Sequence, residues 1–353
     1  MPDAYLALES GRVVTGRARA PGAVHGELVF TTAYTGYEES LTDPSYAEQV
    51  LTFAYPLIGN YGVRPERFES ERVQPSAVVA RELTDDVADW LADAGVPAVD
   101  SLDTRDLVLD IRDRGAMRCG LSVGPEASPG AARAQLDACP PMSDHTEIGA
   151  RVSVAEPVHH PGEGPSVALV DCGAKASIVD SLLRRGADVT VLPYDTAPGT
   201  VAELDPDLLF LSNGPGDPAN FTAAEALVDA FVGELPIAGI CLGQQVVANA
   251  LGGATEKMRF GHRGVNQPVR DLATDRVVMT TQNHGYTVAE PGELDVTQVN
   301  VNDDTPEGLE SDALSVLTRQ YHPEAHPGPH DTLGFFDDVL ALAEAEGATV
   351  RAD

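Results

Sequence analysis

Residues 236–245 read Pro-Ile-Ala-Gly-Ile-Cys-Leu-Gly-Gln-Gln, and they predict a buried strand that runs straight into a helix with Cys241 at the corner. Glycines two positions before and after Cys241 give the form G-x-C-x-G, which is the pattern of a nucleophile elbow. Small neighbours permit the tight turn, and the amino end of the helix favours a thiolate over a thiol. The same spacing also fits a structural cysteine that ends a core strand, because free cysteine is often a small buried hydrophobe.

The segments around this corner alternate between strand and helix. We predict strands at residues 167–170, 189–192, 208–211 and 237–241, and helices at residues 176–185, 223–232 and 244–251. Repeated strand–helix units indicate an α/β fold with a mostly parallel open sheet and helices on both faces. Ligands of such sheets bind at the carboxyl ends of the strands, so we expect the functional residues there.

A possible base for the cysteine lies in the segment Gln320-Tyr321-His322-Pro323-Glu324. Pro323 holds the preceding residue in an extended conformation, and residues two apart in extended chain point to the same side. His322 and Glu324 can therefore form a pair in which the carboxylate orients the imidazole and supports its positive charge. Together with Cys241 they predict a catalytic triad.

The histidines at positions 322, 326 and 330 also suggest a metal site, because they are spaced four residues apart. That spacing would align them only on a helix, and prolines at positions 323, 327 and 329 forbid one. We therefore predict no metal site in this chain.

Two polar loops follow predicted strands. Residues 212–218, Ser-Asn-Gly-Pro-Gly-Asp-Pro, can direct backbone N–H groups at an oxyanion, although such a loop is more often a plain turn. Residues 282–286, Gln-Asn-His-Gly-Tyr, form a second polar cluster that is uninformative by itself. Neither a P-loop pattern nor a dinucleotide-binding glycine pattern is present, so nothing indicates nucleotide binding.

The first half of the chain has a different pattern, with short alternating runs such as residues 5–8 and 27–30 and predicted helices at residues 85–94 and 104–114. This mixture suggests a separate α+β domain. A stretch rich in proline and glycine, residues 156–165, is the best boundary in the chain. We predict an N-terminal domain at residues 1–155, a linker at 156–165 and a C-terminal domain at 166–353.

The chain is strongly acidic, with 55 acidic residues, 23 basic residues and a net charge of −32. Such a field repels nucleic acid and anionic membranes, and we expect neither as a partner. No apolar stretch approaches the ~20 residues that span a bilayer, and the N-terminus lacks a signal-peptide pattern, which predicts a cytoplasmic protein. The four cysteines are scattered singly, which argues against disulfides and a structural zinc site.

The acid is spread along the whole chain, and only two of the 23 basic residues are lysines, Lys175 and Lys257. Diffuse carboxylates with few lysines are typical of proteins from halophiles. A lysine that is retained in such a chain is a candidate for a tight polar site, because the planar guanidinium of arginine does not fit where a compact ammonium does.

Taken together, G-I-C-L-G at residues 239–243 and H-P-E at 322–324 resemble the class I, or triad, glutamine amidotransferases. Residues 212–218, 257–269 (KMRFGHRGVNQPV), 282–288 and 322–329 are more specifically similar to the small subunits of carbamoyl-phosphate synthases. Residues 35–62, TGYEESLTDPSYAEQVLTFAYPLIGNYG, resemble the N-terminal domain of those subunits, which other amidotransferases lack. The resemblance covers residues 5–331 and implies a swivelling β/β/α N-terminal domain.

The resemblance also implies a role for each matching residue. Cys241 matches the nucleophile, His322 the general base and acid, and Glu324 its orienting partner. The N–H groups of Leu242 and Gly214 match the oxyanion hole. Positions that hold glutamine are matched by Gly216, Gln245, Asn283, Gly285, Tyr286 and, from the N-terminal domain, Ser45. The chain departs from the family at Gln244, where histidine is frequent, and at Tyr286, where phenylalanine is frequent, which puts fine substrate positioning in doubt.

By the same resemblance, the expected substrate is L-glutamine and the expected partner is a large subunit that uses ATP and Mg²⁺ to make carbamoyl phosphate. The chain itself is expected to need no cofactor. Two other readings stay open: a cysteine hydrolase that acts alone, such as a γ-glutamyl hydrolase, and a non-catalytic glutamine sensor. The first leaves the N-terminal half without a purpose, and the second leaves an intact triad without one.

Overall fold

A computed structural model describes the backbone of residues 3–350 and the side chains of residues 3–345. The outermost residues of the predicted domains 1–155 and 166–353 lie outside this described part. The chain forms two compact units, Met1–His145 with Met258–Gly264 and Thr146–Lys257 with Val265–Asp353. Among the described residues, no helix is long and apolar enough to cross a membrane.

The described residues include ten α-helices. Their bounds are α1 Tyr37–Thr42, α2 Asp85–Asp93, α3 Thr104–Arg114, α4 Pro129–Ala138, α5 Ile148–Val152, α6 Ala176–Leu183, α7 Pro198–Leu204, α8 Thr222–Phe231, α9 Leu242–Ala250 and α10 Phe335–Val350. Short 3₁₀ turns lie at Pro44–Tyr46, Pro65–Arg67, Met142–Asp144, Pro218–Asn220 and Asp312–Leu314.

Nineteen strands are present in the same part of the chain. Their bounds are β1 Ala4–Leu8, β2 Val13–Ala20, β3 Gly22–Thr31, β4 Gln49–Phe53, β5 Leu57–Ile58, β6 Ala77–Val79, β7 Glu82–Leu83, β8 Ala98–Asp100, β9 Met117–Val123, β10 Val158–His160, β11 Ser166–Asp171, β12 Asp188–Pro193, β13 Leu208–Leu211, β14 Ile237–Ile240, β15 Ala254–Asp271, β16 Val277–Glu290, β17 Asp295–Asn300, β18 Pro306–Ser311 and β19 Val316–Arg319.

The N-terminal unit is built on a closed barrel with the strand order β1-β2-β8-β6-β4-β3-β9. Alternate residues of its strands supply two separate cores. Leu28 and Val50 belong to one core with α3, whereas their neighbours Val29 and Leu51 belong to the other with α2. This period of two is what a sheet with both faces buried requires. The expected separate N-terminal domain is therefore confirmed.

The C-terminal unit contains a ten-stranded sheet in the order β10-β12-β11-β13-β14-β19-β18-β17-β15-β16. Its centre, β12-β11-β13-β14-β19, is parallel, as the strand–helix alternation predicted. Antiparallel pairs extend the sheet from β12 to β10 and from β19 through β18 and β17 to β15.

Helices cover both faces of the parallel centre. Phe210 and Ile240 belong to a core that includes α6 and α10. The residues that alternate with them face the other way, and there α9 approaches so closely that a Cβ on Gly243 would lie 2.2 Å from the carbonyl oxygen of Leu211. The predicted α/β architecture is confirmed, and it places the carboxyl ends of β13, β14 and β19 next to one another.

The predicted helices and the strands predicted in the C-terminal domain end within two residues of the observed ones, whereas the run at residues 27–30 is part of the longer strand Gly22–Thr31. Thr104–Arg114 and Leu208–Leu211 match their predictions, and α9 begins two residues earlier than predicted because it starts directly after Cys241. The segment 156–165 was expected to be an irregular linker, but Val158–His160 forms the edge strand β10, paired with β12. A strand of only three residues is too short to show the alternating pattern from which a strand is predicted.

Candidate active site

Cys241 lies at the corner between β14 and α9 with φ 55° and ψ −104°, a conformation that residues other than glycine seldom adopt. The flanking glycines make this turn possible. A Cβ on Gly239 would lie 2.8 Å from the carbonyl carbon of Gly243, and one on Gly243 would meet Leu211. The N–H of Cys241 donates to the carbonyl oxygen of Arg319 at 2.8 Å, which ties the corner to the end of β19. The sequence pattern thus forms a strained elbow.

His322 and Glu324 follow β19 and are almost completely buried. The Nδ1 atom of His322 lies 2.7 Å from Oε1 of Glu324, so the two side chains share one side as the H-P-E segment predicted. The backbone N–H of His322 donates to the carbonyl oxygen of Thr281 at 2.9 Å. The imidazole is therefore held both by its carboxylate partner and by a bridge to β16.

Lys175 lies behind this pair and is also buried. Its ammonium group donates to Oε1 of Glu324 at 3.0 Å, to the carbonyl oxygen of Ala325 at 2.7 Å and to that of His326 at 2.8 Å. Ala325 and His326 both have positive φ values, 62° and 44°, so the ammonium stabilises a strained turn as well as the carboxylate. The other lysine, Lys257, is exposed, with its ammonium 6.0 Å from the ring centre of Tyr286.

The charges of these groups shift the pKa values of the pair in opposite directions. Burial alone would lower the pKa of His322, but the Glu324 carboxylate and the neighbouring Cys241 raise it to about 10. Burial alone would raise the pKa of Glu324, but Lys175 and His322 lower it to about 2. At neutral pH the pair is therefore an imidazolium beside a carboxylate, with the cysteine side chain next to the imidazolium.

The other three cysteines have no such surroundings. Burial raises the pKa of Cys119, Cys139 and Cys172 above the ordinary value of a thiol. Cys241, in contrast, interacts with the His322 imidazole. Cys241 is thus the candidate nucleophile on structural grounds as well as by its motif.

The loop at residues 212–216 follows β13 and lies against residues 172–175. Ser212 accepts a hydrogen bond from the N–H of Cys172 at 2.9 Å, and Asn213 accepts one from the N–H of Lys175 at 3.1 Å. A Cβ on Gly214 would lie only 2.2 Å from the carbonyl oxygen of Cys172, so no larger residue fits there. Gly216 has φ 89°. The first helical residue after Cys241 is Leu242, whose N–H has no partner within α9.

The predicted glutamine contacts Asn283, Gly285 and Tyr286 all lie on β16. The carbonyl oxygen of Asn283 is 3.8 Å from the sulfur of Cys241, which brings this strand to the elbow. Gln245 is buried in α9, where its side-chain amide donates to the carbonyl oxygen of Tyr286 at 2.8 Å and to Oε1 of Gln320 at 3.0 Å. The structure thus places Asn283 beside Cys241 and Tyr286 beside Gln245, and their contacts with glutamine stay predictions.

Two remaining positions need separate mention. Ser45 belongs to the N-terminal unit, where its N–H donates to the Asp43 carboxylate at 2.9 Å, and its expected contact with glutamine stays a prediction. Gln244, which departs from the family pattern, is fully buried with its side-chain oxygen 3.3 Å from the hydroxyl of Thr318.

Sequence reasoning missed two residues that organise the site. Thr281 accepts from the N–H of His322 and donates its hydroxyl to the carbonyl oxygen of Pro327 at 2.7 Å. Asn213 fixes the backbone of Lys175. No local motif marks Thr281, because its partners are more than forty residues away; Asn213 lay inside a loop that was singled out for its glycines.

Comparison with known proteins agrees with this geometry. Residues 168–342 match the family model for class I glutamine amidotransferase, and residues 6–121 match the model for the carbamoyl-phosphate synthase small chain, CPSase domain. A carbamoyl phosphate synthase small chain from Halobacterium salinarum is 72% identical over 100% of both chains. The chain belongs to the carbamoyl-phosphate synthase small chain family.

More distant small chains show the same full-length correspondence. The carbamoyl phosphate synthase small chain of Methanocaldococcus jannaschii is 42% identical and matches 97% of this chain and 99% of its own length. Among solved structures, a glutamine amidotransferase from Thermotoga maritima matches 54% of this chain and 87% of its own length at 15% identity, with a TM-score of 0.39, which is too remote to add to the assignment. Similarity to a Halobacterium protein also fits the halophilic composition of this small chain.

Proposed function

We propose that this small chain hydrolyses L-glutamine to glutamate and ammonia through a thioester on Cys241. We further propose that the ammonia is supplied to a large, ATP-using subunit that makes carbamoyl phosphate for arginine and pyrimidine synthesis. The observation that carries the proposal is a buried series of interacting groups. Lys175 donates to Glu324, the Glu324 carboxylate lies 2.7 Å from the His322 imidazole, and Cys241 interacts with that imidazole.

The reaction begins when the sulfur of Cys241 attacks the side-chain amide carbon of glutamine. The amide oxygen then becomes an oxyanion, for which the N–H groups of Leu242 and Gly214 are the proposed donors, worth ~3 kcal/mol each. Because the pKa of His322 is raised to about 10, the imidazolium keeps its proton until the leaving nitrogen takes it. The carbon–nitrogen bond breaks, ammonia leaves and a glutamyl thioester remains.

Hydrolysis of the thioester completes the cycle. His322 is now neutral and can accept a proton from water as the water oxygen attacks the thioester carbon. The carbon–sulfur bond breaks, glutamate departs and the Cys241 thiolate returns beside the imidazolium. Glu324 keeps the same ring nitrogen occupied throughout, so the other nitrogen always faces the reacting atoms.

Substrate positioning is assigned to the residues around the elbow. We propose that Gly216, Gln245, Asn283, Gly285 and Tyr286 hold glutamine, with Ser45 as a further contact. No step of this hydrolysis needs a metal or an organic cofactor in this chain, and ATP and Mg²⁺ are assigned to the large subunit. A cytoplasmic location is proposed, as the sequence predicted.

The direct test is Cys241→Ser in the complex with the large subunit, with carbamoyl phosphate measured from each nitrogen source. Synthesis from glutamine should fall at least ~10³-fold, because the nucleophile is lost, whereas synthesis from free ammonia should stay at the wild-type rate. Equal loss of both activities in an intact complex would contradict the assignment of Cys241. Unchanged synthesis from glutamine would contradict the mechanism as a whole.

A further inference from the structure

Exposed apolar side chains are concentrated at one end of the C-terminal sheet. Nine large hydrophobic residues are exposed in the described part of the chain, and four of them lie close together. Val277 and Met279 lie on β16, Leu272 directly follows β15, and Val301 directly follows β17. Their exposed fractions are 53% for Val277, 41% for Met279, 49% for Leu272 and 46% for Val301. With Pro268 they form what we call the edge patch. In a protein of net charge −32, whose surface is dominated by carboxylates, such a concentration indicates a contact surface.

Strand register places these residues on the same side of the sheet. The N–H of Asp271 donates to the carbonyl oxygen of Arg276 at 2.9 Å, and the hydroxyl of Thr280 donates to that of Gln267 at 2.9 Å. Both contacts fit the same antiparallel pairing of β15 with β16. In this pairing Met279 lies directly opposite Pro268. On the other side of β15, the N–H of Val301 donates to the carbonyl oxygen of Pro268 at 2.9 Å. The patch therefore extends across three neighbouring strands.

The edge patch is continuous with the loop that carries the catalytic pair. Side chains two apart on a strand share a face, so Thr281 follows Val277 and Met279 on the patch side of β16. Thr281 accepts from the N–H of His322 and donates to the carbonyl oxygen of Pro327. Gly328 lies against the Thr281 side chain, where a Cβ would be 3.2 Å from its Cβ. The loop after Glu324 thus borders the patch.

We propose that the edge patch is the surface on which the large subunit docks. The inference rests on the proposed function, because ammonia released at Cys241 has to reach the partner. Ammonia that escapes into bulk water is protonated and diluted. A partner seated beside the loop of His322 and Glu324 would receive ammonia close to its source, and the edge patch is an exposed apolar surface that borders this loop.

The charge around the patch indicates what the partner presents. Arg270 lies between the apolar residues, opposite Val299 on β17, and its guanidinium is part-exposed with Asp304 at 3.9 Å. Apolar side chains around a central arginine are the composition of an interface core, where methionine and arginine are enriched. We therefore infer an apolar hollow on the large subunit that contains a carboxylate for Arg270.

The test uses Val277→Asp, Met279→Glu and the double variant, each mixed with the large subunit in molar KCl. The dissociation constant, measured by sedimentation, should rise at least ten-fold in the double variant, because a carboxylate is buried against an apolar surface. Synthesis from glutamine should fall with complex formation, whereas synthesis from ammonia by the large subunit should stay unchanged. Glutamine hydrolysis by the isolated small chain and its thermal midpoint should also stay unchanged, since neither residue touches the site.

Matched controls are Val158→Asp and Leu204→Asp. Both residues are equally exposed, at 41% and 42%, and they belong to β10 at the opposite edge of the sheet and to the end of α7. These variants should bind the large subunit with the wild-type constant. Equal binding by the double variant and the wild type would overturn the proposal, as would equal weakening by the controls.

Two further outcomes separate the alternatives. If the small chain alone forms dimers that the double variant abolishes while binding of the large subunit persists, the patch is a self-association surface and the proposal is wrong. If the wild-type pair binds but makes no carbamoyl phosphate from glutamine, the proposed function has failed, whereas a normal wild-type reaction with fully active patch variants refutes only the docking surface.

Discussion

Glu324 shows how single residues set the chemistry of the site. Its carboxylate is completely buried, yet Lys175 and His322 lower its pKa to about 2. An isolated buried carboxylate would instead become neutral, because burial penalises the charge. The two cations thus keep Glu324 ionised, and Glu324 in turn keeps His322 protonated and oriented.

Replacing the carboxylate in Glu324→Gln should lower the pKa of His322 from about 10 toward or below its ordinary value of 6.5. The NMR titration of the imidazole measures this shift. Glutamine turnover should fall, but ~10- to 100-fold less than in Cys241→Ser, since losing the orienting group costs less than losing the nucleophile. Turnover at the wild-type rate would remove Glu324 from the triad.

The same variant gives a prediction for stability against pH. A group whose pKa is raised on folding contributes stability that is complete below its unfolded pKa and is lost as pH rises through the folded value. The His322 contribution is therefore complete below about pH 6.5 and is lost toward pH 10. The difference in the free energy of unfolding between wild type and Glu324→Gln should shrink over this range in denaturant titrations, and a constant difference would contradict the pairing.

Lys175 is the second residue whose charge matters. Lys175→Met leaves the Glu324 carboxylate with one cation fewer in a buried site, and the free energy of unfolding should fall by ~3 kcal/mol. Lys175→Arg should also lower glutamine turnover, because a planar guanidinium does not fit among three oxygen acceptors within 3.0 Å of one ammonium nitrogen.

The control for these variants is Arg133→Lys, which changes an exposed residue of α4 and should alter neither stability nor turnover. Lys257→Arg is expected to have a smaller effect than Lys175→Arg, since Lys257 is exposed. Full activity and normal assembly of both Lys175→Arg and Lys257→Arg would contradict the hypothesis that these lysines are retained for the shape of the ammonium group.

At the scale of elements, the site depends on how closely α9 approaches β13 and β14. Gly243 lies on the first turn of α9, and its missing side chain allows the helix to touch Leu211. Because Cys241 is the residue directly before this helix, a displacement of α9 also displaces the sulfur. The elbow is thus a property of helix–sheet packing as much as of the turn itself.

Gly243→Ala should therefore destabilise the protein by ~1–3 kcal/mol, since its Cβ would lie 2.2 Å from a backbone oxygen that cannot move alone. Glutamine turnover should fall with it. The matched control is Gly199→Ala in α7, where a Cβ meets nothing within 4 Å and alanine should stabilise by ~0.4–1 kcal/mol. Thermal unfolding of both variants measures the contrast, and equal midpoints would disprove close packing at Gly243.

At the scale of the whole molecule, a net charge of −32 makes self-repulsion a term in the stability of the fold. Screening shortens from about 10 Å at 0.1 M salt to about 3 Å at 1 M, so salt should relieve the repulsion. We expect the thermal midpoint to rise from 0.1 M to molar KCl. A flat or falling midpoint would rule out adaptation to concentrated salt, even though a similar small chain comes from Halobacterium salinarum.

The sequence by itself determined the parts of the protein that depend on neighbours along the chain. The G-x-C-x-G corner requires a strand, a turn and a helix in immediate succession, and the H-P-E segment sets two side chains on one side of extended backbone. Both features depend only on local backbone geometry, which the strand–helix pattern determines at the corner and Pro323 determines in the H-P-E segment. The charge of −32 likewise follows from composition alone.

Only the tertiary structure decided what surrounds these segments. Lys175 is 149 residues from Glu324 in the chain. The scarcity of lysine in the composition predicted a tight polar site for Lys175, but it did not predict which residues Lys175 contacts. The sequence did not identify Thr281 or the edge patch. Thr281 pairs with His322, which is more than forty residues away, and the outward faces of β15, β16 and β17 depend on the register in which these strands pair. Pairing across the sheet, not spacing along the chain, determines those contacts, since a shift of one residue would turn every side chain to the opposite face.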